Sequence, residues 1–370
     1  MIDLETINDR IAPLDLAACQ RAREKWNGVA KPVGSLGMLE DAIVQIAGLT
    51  GDEDVRLEKR AVVVMCADNG VVAEGVSQSG SEVTLAVADN IARGESSVCS
   101  MARPHHIDAF AVDMGMATAS GNPRVIDRAI ARGTGNIAIG PAMTREQAAA
   151  AVQSGIDMVA DLKGRGYDII ASGEMGIGNT TTSSALLAAL LGLSADALVG
   201  KGAGLSAEGL VRKRNAVQQA IEVNKPDAGD PLGVLAKVGG FDIAGIVGLF
   251  LGGAVYRVPI VVDGFISMVA AYVATRIAPG CVCAMLASHT SAEPAVRFIQ
   301  DALVLAAGNE QTGLAQAGIG FTPVIQASMR LGEGTGAVCL IPLLDSALTL
   351  YNGSTFADIA IEAYDPDLVK

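Results

Sequence analysis

The hydrophobic pattern of the chain alternates between short apolar runs and longer stretches with helical spacing. Five runs rich in β-branched residues, each followed by a glycine-rich turn, predict buried strands. Between them, apolar residues recur every three to four positions and predict helices. The predicted strands are 61–66, 107–112, 168–172, 258–262 and 281–287, and the predicted helices include 82–92, 144–162, 181–191 and 210–223. This alternation predicts βαβ units and an α/β fold around a parallel sheet.

Two apolar stretches resemble membrane spans but are better interpreted as buried core elements. Stretch 177–195 contains an asparagine, threonines and serines, and stretch 243–255 is only 13 residues long. The start of the chain lacks the basic and then apolar pattern of a signal peptide. We therefore expect a soluble, cytoplasmic protein.

Composition narrows the functional classes. The 370 residues allow one large domain with a smaller one, or two domains of ordinary size. A net charge of −13 with only 4% aromatic residues argues against nucleic-acid binding. A small phosphorylated metabolite remains compatible, because backbone N–H groups and one lysine can offset a distant negative field. The three histidines and six cysteines lack zinc-ligand spacing, so no metal is expected.

Acidic residues stand beside glycines where four of the predicted strands end. These residues are Asp68, Asp113, Glu174 and Asp263, and Ser288-His289-Thr290-Ser291 follows the fifth strand. The carboxyl ends of parallel strands share one edge of the sheet, where ligands bind. The pattern therefore predicts that these side chains converge on one site.

Two glycine-rich loops are candidate anion sites. The loop 176–182 lies between a strand and a helix, and it suits either an anion at the helix N-terminus or an ordinary turn. The Asn179 and threonine side chains of this loop are candidate caps of the helix. Neither this loop nor the loop 200–204 completes a Walker or dinucleotide signature. We therefore predict a mononucleotide phosphate rather than ATP or NAD. Lys213 is a candidate counter-charge, although a helical lysine is more often simply solvated.

Glu333 stands between Gly332 and Gly334, a setting that favours a tight turn with a projecting carboxylate. An exposed loop glutamate is the alternative. The apolar flanks 327–331 and 337–344 favour burial. Burial would raise the pKa of the carboxyl group towards the range of a general base.

Six motifs appear in an order typical of one family. They are KPVGSLG at 31–37, ADNGVVAEGVS at 67–77, GEMGIGNTT at 173–181, VDGF at 262–265, SHTSAEP at 288–294 and LGEGTGA at 331–337. From about residue 25 to about residue 350, the chain resembles the nicotinate-nucleotide:dimethylbenzimidazole phosphoribosyltransferase family.

The resemblance implies a fold and an activity. The fold is a Rossmann-like parallel sheet flanked by helices, residues 56–337, with a smaller helical domain from 1–55 and 338–370. The activity is transfer of the phosphoribosyl group of nicotinate mononucleotide to an aromatic base, giving an α-ribotide and nicotinate for the lower ligand of cobamides. The family acts as a homodimer, without a metal or another cofactor.

The resemblance also assigns site residues by motif position. It makes Glu333 the general base and Glu174 a second acidic residue beside the base. The phosphate-binding positions are Gly176, Asn179, Thr180, Gly202 and Lys213. Ser291 and Asp263 fall at the nicotinate and ribose. The base pocket would contain Gln78, Ser79, Gly80, Ala86, Met175 and Leu331.

Four departures from the family pattern leave the acceptor base open. The family usually has histidine at Asn69, Ala-Tyr-Pro-Gln at 78–81, glutamine at Ala86 and arginine at Thr290. One alternative is therefore the same transfer to a phenol or a purine, possibly within a heterodimer with a paralogous subunit. Two other classes are a nucleotide-dependent oxidoreductase on a doubly wound sheet and a catalytically silent nucleotide-binding subunit. The missing dinucleotide fingerprint disfavours the first and Glu333 disfavours the second.

Overall fold

The computed structural model describes residues 2–200 and 204–362. Its strands are β1 (Arg60–Ala67), β2 (Ile107–Gly115), β3 (Ile126–Asp127), β4 (Ile169–Met175), β5 (Ile260–Val262) and β6 (Met285–Ala287). All six are parallel and lie in the order β3-β2-β1-β4-β5-β6. This is the Rossmann strand order, in which the direction of winding reverses between β1 and β4. The predicted α/β fold with a parallel sheet is confirmed.

Thirteen α-helices surround this sheet in the described part of the chain. They are α1 (Leu16–Gly28), α2 (Met38–Thr50), α3 (Glu82–Arg93), α4 (Ser97–Ala102), α5 (Arg145–Gly164), α6 (Asn179–Leu191), α7 (Ala195–Leu198), α8 (Ala207–Asn224), α9 (Pro231–Val238), α10 (Phe241–Tyr256), α11 (Phe265–Ile277), α12 (Val296–Ala307) and α13 (Thr335–Tyr351). Helix α10 is almost entirely buried and packs along α5 and against α11.

The two apolar stretches form α6 and α10, so their interpretation as core elements is confirmed. No helix in the described ranges is both long and apolar enough to cross a membrane.

The last predicted strand is wrong over its first half. Residues 281–284 belong to a 3₁₀ helix, Pro279–Ala284, and only Met285–Ala287 pair with β5. Pro279 lacks an N–H and fixes φ, which suits the first turn of a helix. A short apolar run fits either element, so its pattern alone could not distinguish them.

Helices from both ends of the chain pack together: α2 contacts both α1 and α13. Arg60 at the start of β1 also forms an ion pair with Asp345 of α13 and donates from Nη1 to Asp345 Oδ2 at 2.7 Å. The boundary expected at 337/338 falls inside α13, which begins at Thr335. The division into two domains stays a prediction.

Candidate active site

A cavity of about 230 Å³ opens at the carboxyl ends of β4 and β5, beside the point where the strand order reverses. Its walls come from the turn after β4, the turn after β5, the segment 289–293 and the segment 329–335. The site residues expected from the sequence that line it are Glu174, Met175, Gly176, Asn179, Thr180, Asp263, Ser291, Leu331 and Glu333. The structure therefore brings together residues that are widely separated in the chain.

Four residues expected in the base pocket are not among those lining this cavity: Gln78, Ser79, Gly80 and Ala86. The Gln78 side chain donates to the carbonyl of Gly204, and Ala86 is exposed. No residue of helix α3 is among those lining the cavity, but Thr84 of α3 accepts a hydrogen bond from the amide of the lining residue Ile177, with Ile177 N and Thr84 Oγ1 3.3 Å apart. Their assignment to the base pocket stays a prediction. Gly202 lies outside the described residues.

Glu333 is held on a turn of three consecutive left-handed residues. The φ angles of Gly332, Glu333 and Gly334 are 90°, 59° and 86°. A left-handed glutamate costs about 1 kcal/mol or more, so the surrounding structure has to hold it in place. Val98 N, in the first turn of α4, donates to Glu333 Oε2 at 3.2 Å. The turn thus directs the carboxylate to a fixed position.

Asp263 holds the same turn from below. Its Oδ2 accepts from Gly334 N at 3.2 Å and its Oδ1 accepts from Ala337 N at 3.0 Å. Asp263 therefore anchors the start of α13 as well as lining the cavity. Its expected contact with the ribose stays a prediction.

The expectation that both segments flanking Glu333 are buried is wrong for the preceding segment, 327–331. Ala327, Ser328 and Arg330 are exposed, and Leu331 is 56% exposed, because 327–331 is a surface loop. Only the flank 337–344, inside α13, is largely buried, and Glu333 itself is half-buried. Burial does raise the pKa of another carboxyl group on the cavity wall, that of Glu174.

Glu174 lies inside β4 and is only 8% exposed. Burial raises its pKa to about 8, and the negative charges of Asp242, Asp263 and Glu333 act in the same direction. Asn179 Nδ2 opposes this shift by donating to Glu174 Oε2 at 2.6 Å. Among the carboxyl groups that line the cavity, Glu174 is therefore one that favours its protonated form at neutral pH, and it lies near the more exposed Glu333.

Asn179 does not cap α6 as its position suggests. The N-cap is Gly178, with φ of 94°, and the Asn179 amide points inward to Glu174 and to Asp242 Oδ2, at 2.9 Å. The left-handed glycine makes the turn by itself, which frees the asparagine side chain.

Lys213 is not a solvated helical lysine, because it is 1% exposed. Its Nζ donates to Thr180 Oγ1 at 2.8 Å and to Gly200 O at 3.3 Å. Burial lowers the pKa of Lys213 to about 8, and the negative charge of Glu293 opposes that shift. Lys213 thus sits one hydrogen bond behind the cavity wall at Thr180.

The acidic residues of β1 and β2 do not reach the cavity, so the expected convergence of four acids is only half correct. Asp68 Oδ2 accepts from Ala117 N at 2.8 Å. Asp113 Oδ1 accepts from Gly115 N at 2.9 Å, and its Oδ2 pairs with Arg132 at 2.8 Å. These two carboxylates fix loops at the other half of the sheet edge.

Two residues at or behind the cavity were given no role by the sequence analysis, His289 and Asp242. His289 lines the cavity, is 4% exposed and has its Nδ1 2.9 Å from Ser288 Oγ. Its place within the 288–294 motif was the available signal. Asp242 is the one charged residue of the apolar helix α10, and that isolation was the signal. Within the described chain, no cluster of three or more His, Cys, Asp or Glu side chains is arranged to hold a metal ion.

Comparison with known proteins agrees with this geometry. Residues 11–361 match a family model described as a phosphoribosyltransferase. The chain is 44% identical to the nicotinate-nucleotide--dimethylbenzimidazole phosphoribosyltransferase of Ruminiclostridium cellulolyticum, over 98% of each chain. It is 42% identical to the enzyme of the same name from Acetivibrio thermocellus, over 96% of each chain.

The fold is also similar to a crystal structure of CobT from Thermus thermophilus, with a TM-score of 0.83 and 36% identity. That likeness covers 94% of this chain and 100% of the other. The resemblance indicated by the six motifs is therefore confirmed over nearly the whole length, and the chain belongs to this phosphoribosyltransferase family.

Proposed function

We propose that the protein transfers the phosphoribosyl group of nicotinate mononucleotide to an aromatic base, 5,6-dimethylbenzimidazole or a related compound. The products are an α-ribotide, for the lower ligand of cobamides, and nicotinate. The observation that carries the proposal is the presence of Glu333 and Glu174 in one cavity, with Thr180 on its wall and Lys213 one hydrogen bond behind Thr180. The names of the full-length relatives support it.

In this proposal Glu333 is the general base. The base nitrogen attacks the anomeric carbon as its bond to nicotinate breaks, and the bonding electrons return to the pyridinium nitrogen. The N–H proton of the attacking azole passes to the Glu333 carboxylate. Charge developing at the sugar in the oxocarbenium-like state is stabilised by the surrounding carboxyl groups. Attack opposite to nicotinate converts a β-nucleotide into an α-nucleotide.

The 5-phosphate is assigned to the turn 176–180 at the start of α6. Backbone N–H groups at a helix N-terminus attract anions, and Lys213 supplies a positive charge one hydrogen bond away. Ser291, 7% exposed and on the cavity wall, is assigned to the nicotinate end. Burial lowers the pKa of Lys213, whereas the negative charge of a bound phosphate would raise it, so phosphate binding would favour the charged form of the lysine.

The family resemblance is also the basis for a proposal on the oligomeric state and the cellular location of the protein. We propose a homodimer in the cytoplasm, with a paralogous heterodimer as the alternative. Light scattering on the purified protein measures the stoichiometry, and subcellular fractionation measures the location.

The deciding experiment is incubation of the pure protein with nicotinate mononucleotide and a panel of azoles, purines and phenols. Mass spectrometry would detect free nicotinate and the matching α-ribotide in equal amounts. Nicotinate formed without a ribotide would indicate hydrolysis, and no nicotinate with any base would refute the proposed transfer.

A further inference from the structure

Asp242 is a buried carboxylate that no step described above uses. It lies in the first turn of α10, is 0% exposed and does not line the cavity. Its Oδ1 has no hydrogen-bond partner within the described residues, while Oδ2 accepts from Asn179 Nδ2 at 2.9 Å. Burying a carboxylate is costly unless other groups compensate, so its presence behind the site requires an explanation.

Asn179 connects Asp242 to the cavity. A side-chain amide has two N–H donors, and both are used: one goes to Asp242 Oδ2 and the other to Glu174 Oε2. The Asp242 contact therefore fixes the orientation of the amide, and the amide fixes the Glu174 carboxyl. The other oxygen, Glu174 Oε1, lies against Gly332 on the cavity wall.

Gly176 shows how tightly this arrangement is packed. A Cβ atom there would stand 2.3 Å from Asp242 Oδ2 and 3.1 Å from Asn179 Nδ2. Only glycine lets the backbone pass this closely, so the amide and both carboxyl groups have little freedom to move.

The groups around Asp242 and Glu174 indicate which of these two carboxyl groups carries a proton. Asp68 and Glu174 face Asp242, whereas Asp242, Asp263 and Glu333 face Glu174, and the neutral Cys66 thiol lies near both. Burial raises the pKa of Glu174 to about 8 and that of Asp242 to about 6. Backbone N–H groups in the first turn of α10 stabilise the Asp242 anion. Between these pH values Asp242 is charged and Glu174 is protonated.

We propose that Asp242 is a positioning residue for Glu174, acting through the Asn179 amide, and that it sets the pH above which the cavity binds a neutral aromatic base poorly. The proposal rests on the proposed function. Its physical reason is that an ionised Glu174 would retain water, which an apolar ring cannot displace without cost.

The variant Asp242→Asn tests the proposal, because it removes the charge of the side chain while keeping its shape. The new amide group can donate to Asn69 Oδ1, for which the described part of the chain offers no hydrogen-bond partner. Asn69 Oδ1 and Asp242 Oδ1 each lie 2.4 Å from where a Cβ of Gly240 would stand. The measurement is the KM for 5,6-dimethylbenzimidazole from about pH 6 to about pH 9.5, with nicotinate mononucleotide saturating. Saturation keeps Lys213 charged against the phosphate, and the base's own titration is common to all variants.

In the wild type we expect this KM to rise above about pH 8, as Glu174 ionises, while kcat changes little. In Asp242→Asn the rise should begin on the order of one pH unit lower, because removing a nearby negative charge lowers the pKa of Glu174. An unchanged midpoint in a folded Asp242→Asn protein would overturn the proposal.

Two control variants are measured alongside Asp242→Asn. Asp113→Asn makes the same change at the same sheet edge, but Asp113 contacts Arg132 and loop amides instead of Asn179, so the wild-type midpoint should remain. Glu174→Gln removes the titrating group and should abolish the rise in KM. A rise that persists in Glu174→Gln would also overturn the proposal.

A direct titration covers the case in which Asp242→Asn does not fold. In wild-type protein with ¹³C-labelled glutamate carboxyls, the Glu174 resonance is identified by its absence in Glu174→Gln. We expect it to titrate near pH 8, with a smaller response near pH 6 as Asp242 ionises. A single step without the lower response would overturn the coupling. This readout needs no turnover, so failure of the proposed function and failure of this inference are distinguishable.

Discussion

The two halves of the carboxyl edge of the sheet carry similar residues but use them differently. Asp68, just after β1, and Asp113, near the end of β2, accept hydrogen bonds from backbone amides of residues 115–117, and Asp113 also pairs with Arg132. At the ends of β4 and β5, Glu174 and Asp263 line the cavity. The sequence pattern is the same in both halves. The comparison shows that an acidic residue beside a glycine does not by itself place a carboxylate in the cavity; strand order and the loops facing each strand end decide which carboxylates line it.

For the half of the sheet edge that lines the cavity, the largest expected effect is that of Glu333→Gln on catalysis. This variant keeps the shape of the turn but removes the proton acceptor, so kcat should fall by roughly 10²–10⁴-fold with little change in nucleotide affinity. Steady-state release of nicotinate measures it, with the exposed Glu310→Gln as a matched control. A kcat close to wild type with an azole acceptor would remove Glu333 from its assigned role.

The next effect concerns the phosphate end. Lys213→Ala should weaken binding of nicotinate mononucleotide by roughly 1.5–3 kcal/mol, the range of a charge-assisted hydrogen bond. In the wild type, affinity should also decline as pH rises through about 8, because the free enzyme then loses the Lys213 charge. Calorimetry measures both effects.

The control donor for Lys213 is nicotinate riboside, which has no phosphate. It should bind the wild type poorly and be nearly insensitive to Lys213→Ala. Equal sensitivity of both donors would mean that Lys213 supports folding rather than the phosphate.

At the β1 and β2 half of the sheet edge, we expect a substitution to affect stability rather than catalysis. Asp113→Asn should lower the free energy of unfolding by about 1–3 kcal/mol, because it removes the charge that pairs with Arg132, and leave kcat nearly unchanged. Urea denaturation and steady-state kinetics measure the two quantities. A large loss of kcat without a loss of stability would break the comparison between the two halves.

The smallest expected effect is at the segment 78–86. We predict turnover of 5,6-dimethylbenzimidazole together with at least one other acceptor, such as benzimidazole or a phenol. Ala86→Gln should change the preference between paired acceptors less than about tenfold, or ~1.4 kcal/mol, because Ala86 is exposed and off the cavity wall.

Competition assays with paired acceptors decide this prediction. A wild-type preference for dimethylbenzimidazole above about 10³-fold over every alternative, ~4 kcal/mol, would contradict the expected breadth. A strong effect of Ala86→Gln would instead place the segment in the base pocket.

Much of the cavity could be predicted from the sequence because its residues lie beside glycines at strand ends or within motifs. The Gly332-Glu333-Gly334 sequence predicted a tight turn, and the structure has one, with a positive φ at all three residues. The sequence could not show which of the two glutamates would be buried. That depends on the exposed loop 327–331 and on Asp242, which is 68 positions after Glu174 in the chain but only two hydrogen bonds away.

The errors have a common physical cause. The run 281–287 is apolar throughout, and apolarity alone does not separate a 3₁₀ turn from a strand. Asn179 had the position of a capping residue, yet Gly178 makes the turn without it. In both cases local propensity was compatible with two structures, and packing against distant elements selected one.

The anchoring of the Glu333 turn by Asp263 has a consequence for local motion beside the cavity. The amides of Gly334 and Ala337 are bound from below, whereas the preceding segment from Ala327 to Leu331 is largely at the surface. Hydrogen exchange should therefore be slow at Gly334 and fast a few residues earlier. The proposed general base is thus anchored independently of residues 327–331, so movement of that outer segment would leave its position unchanged.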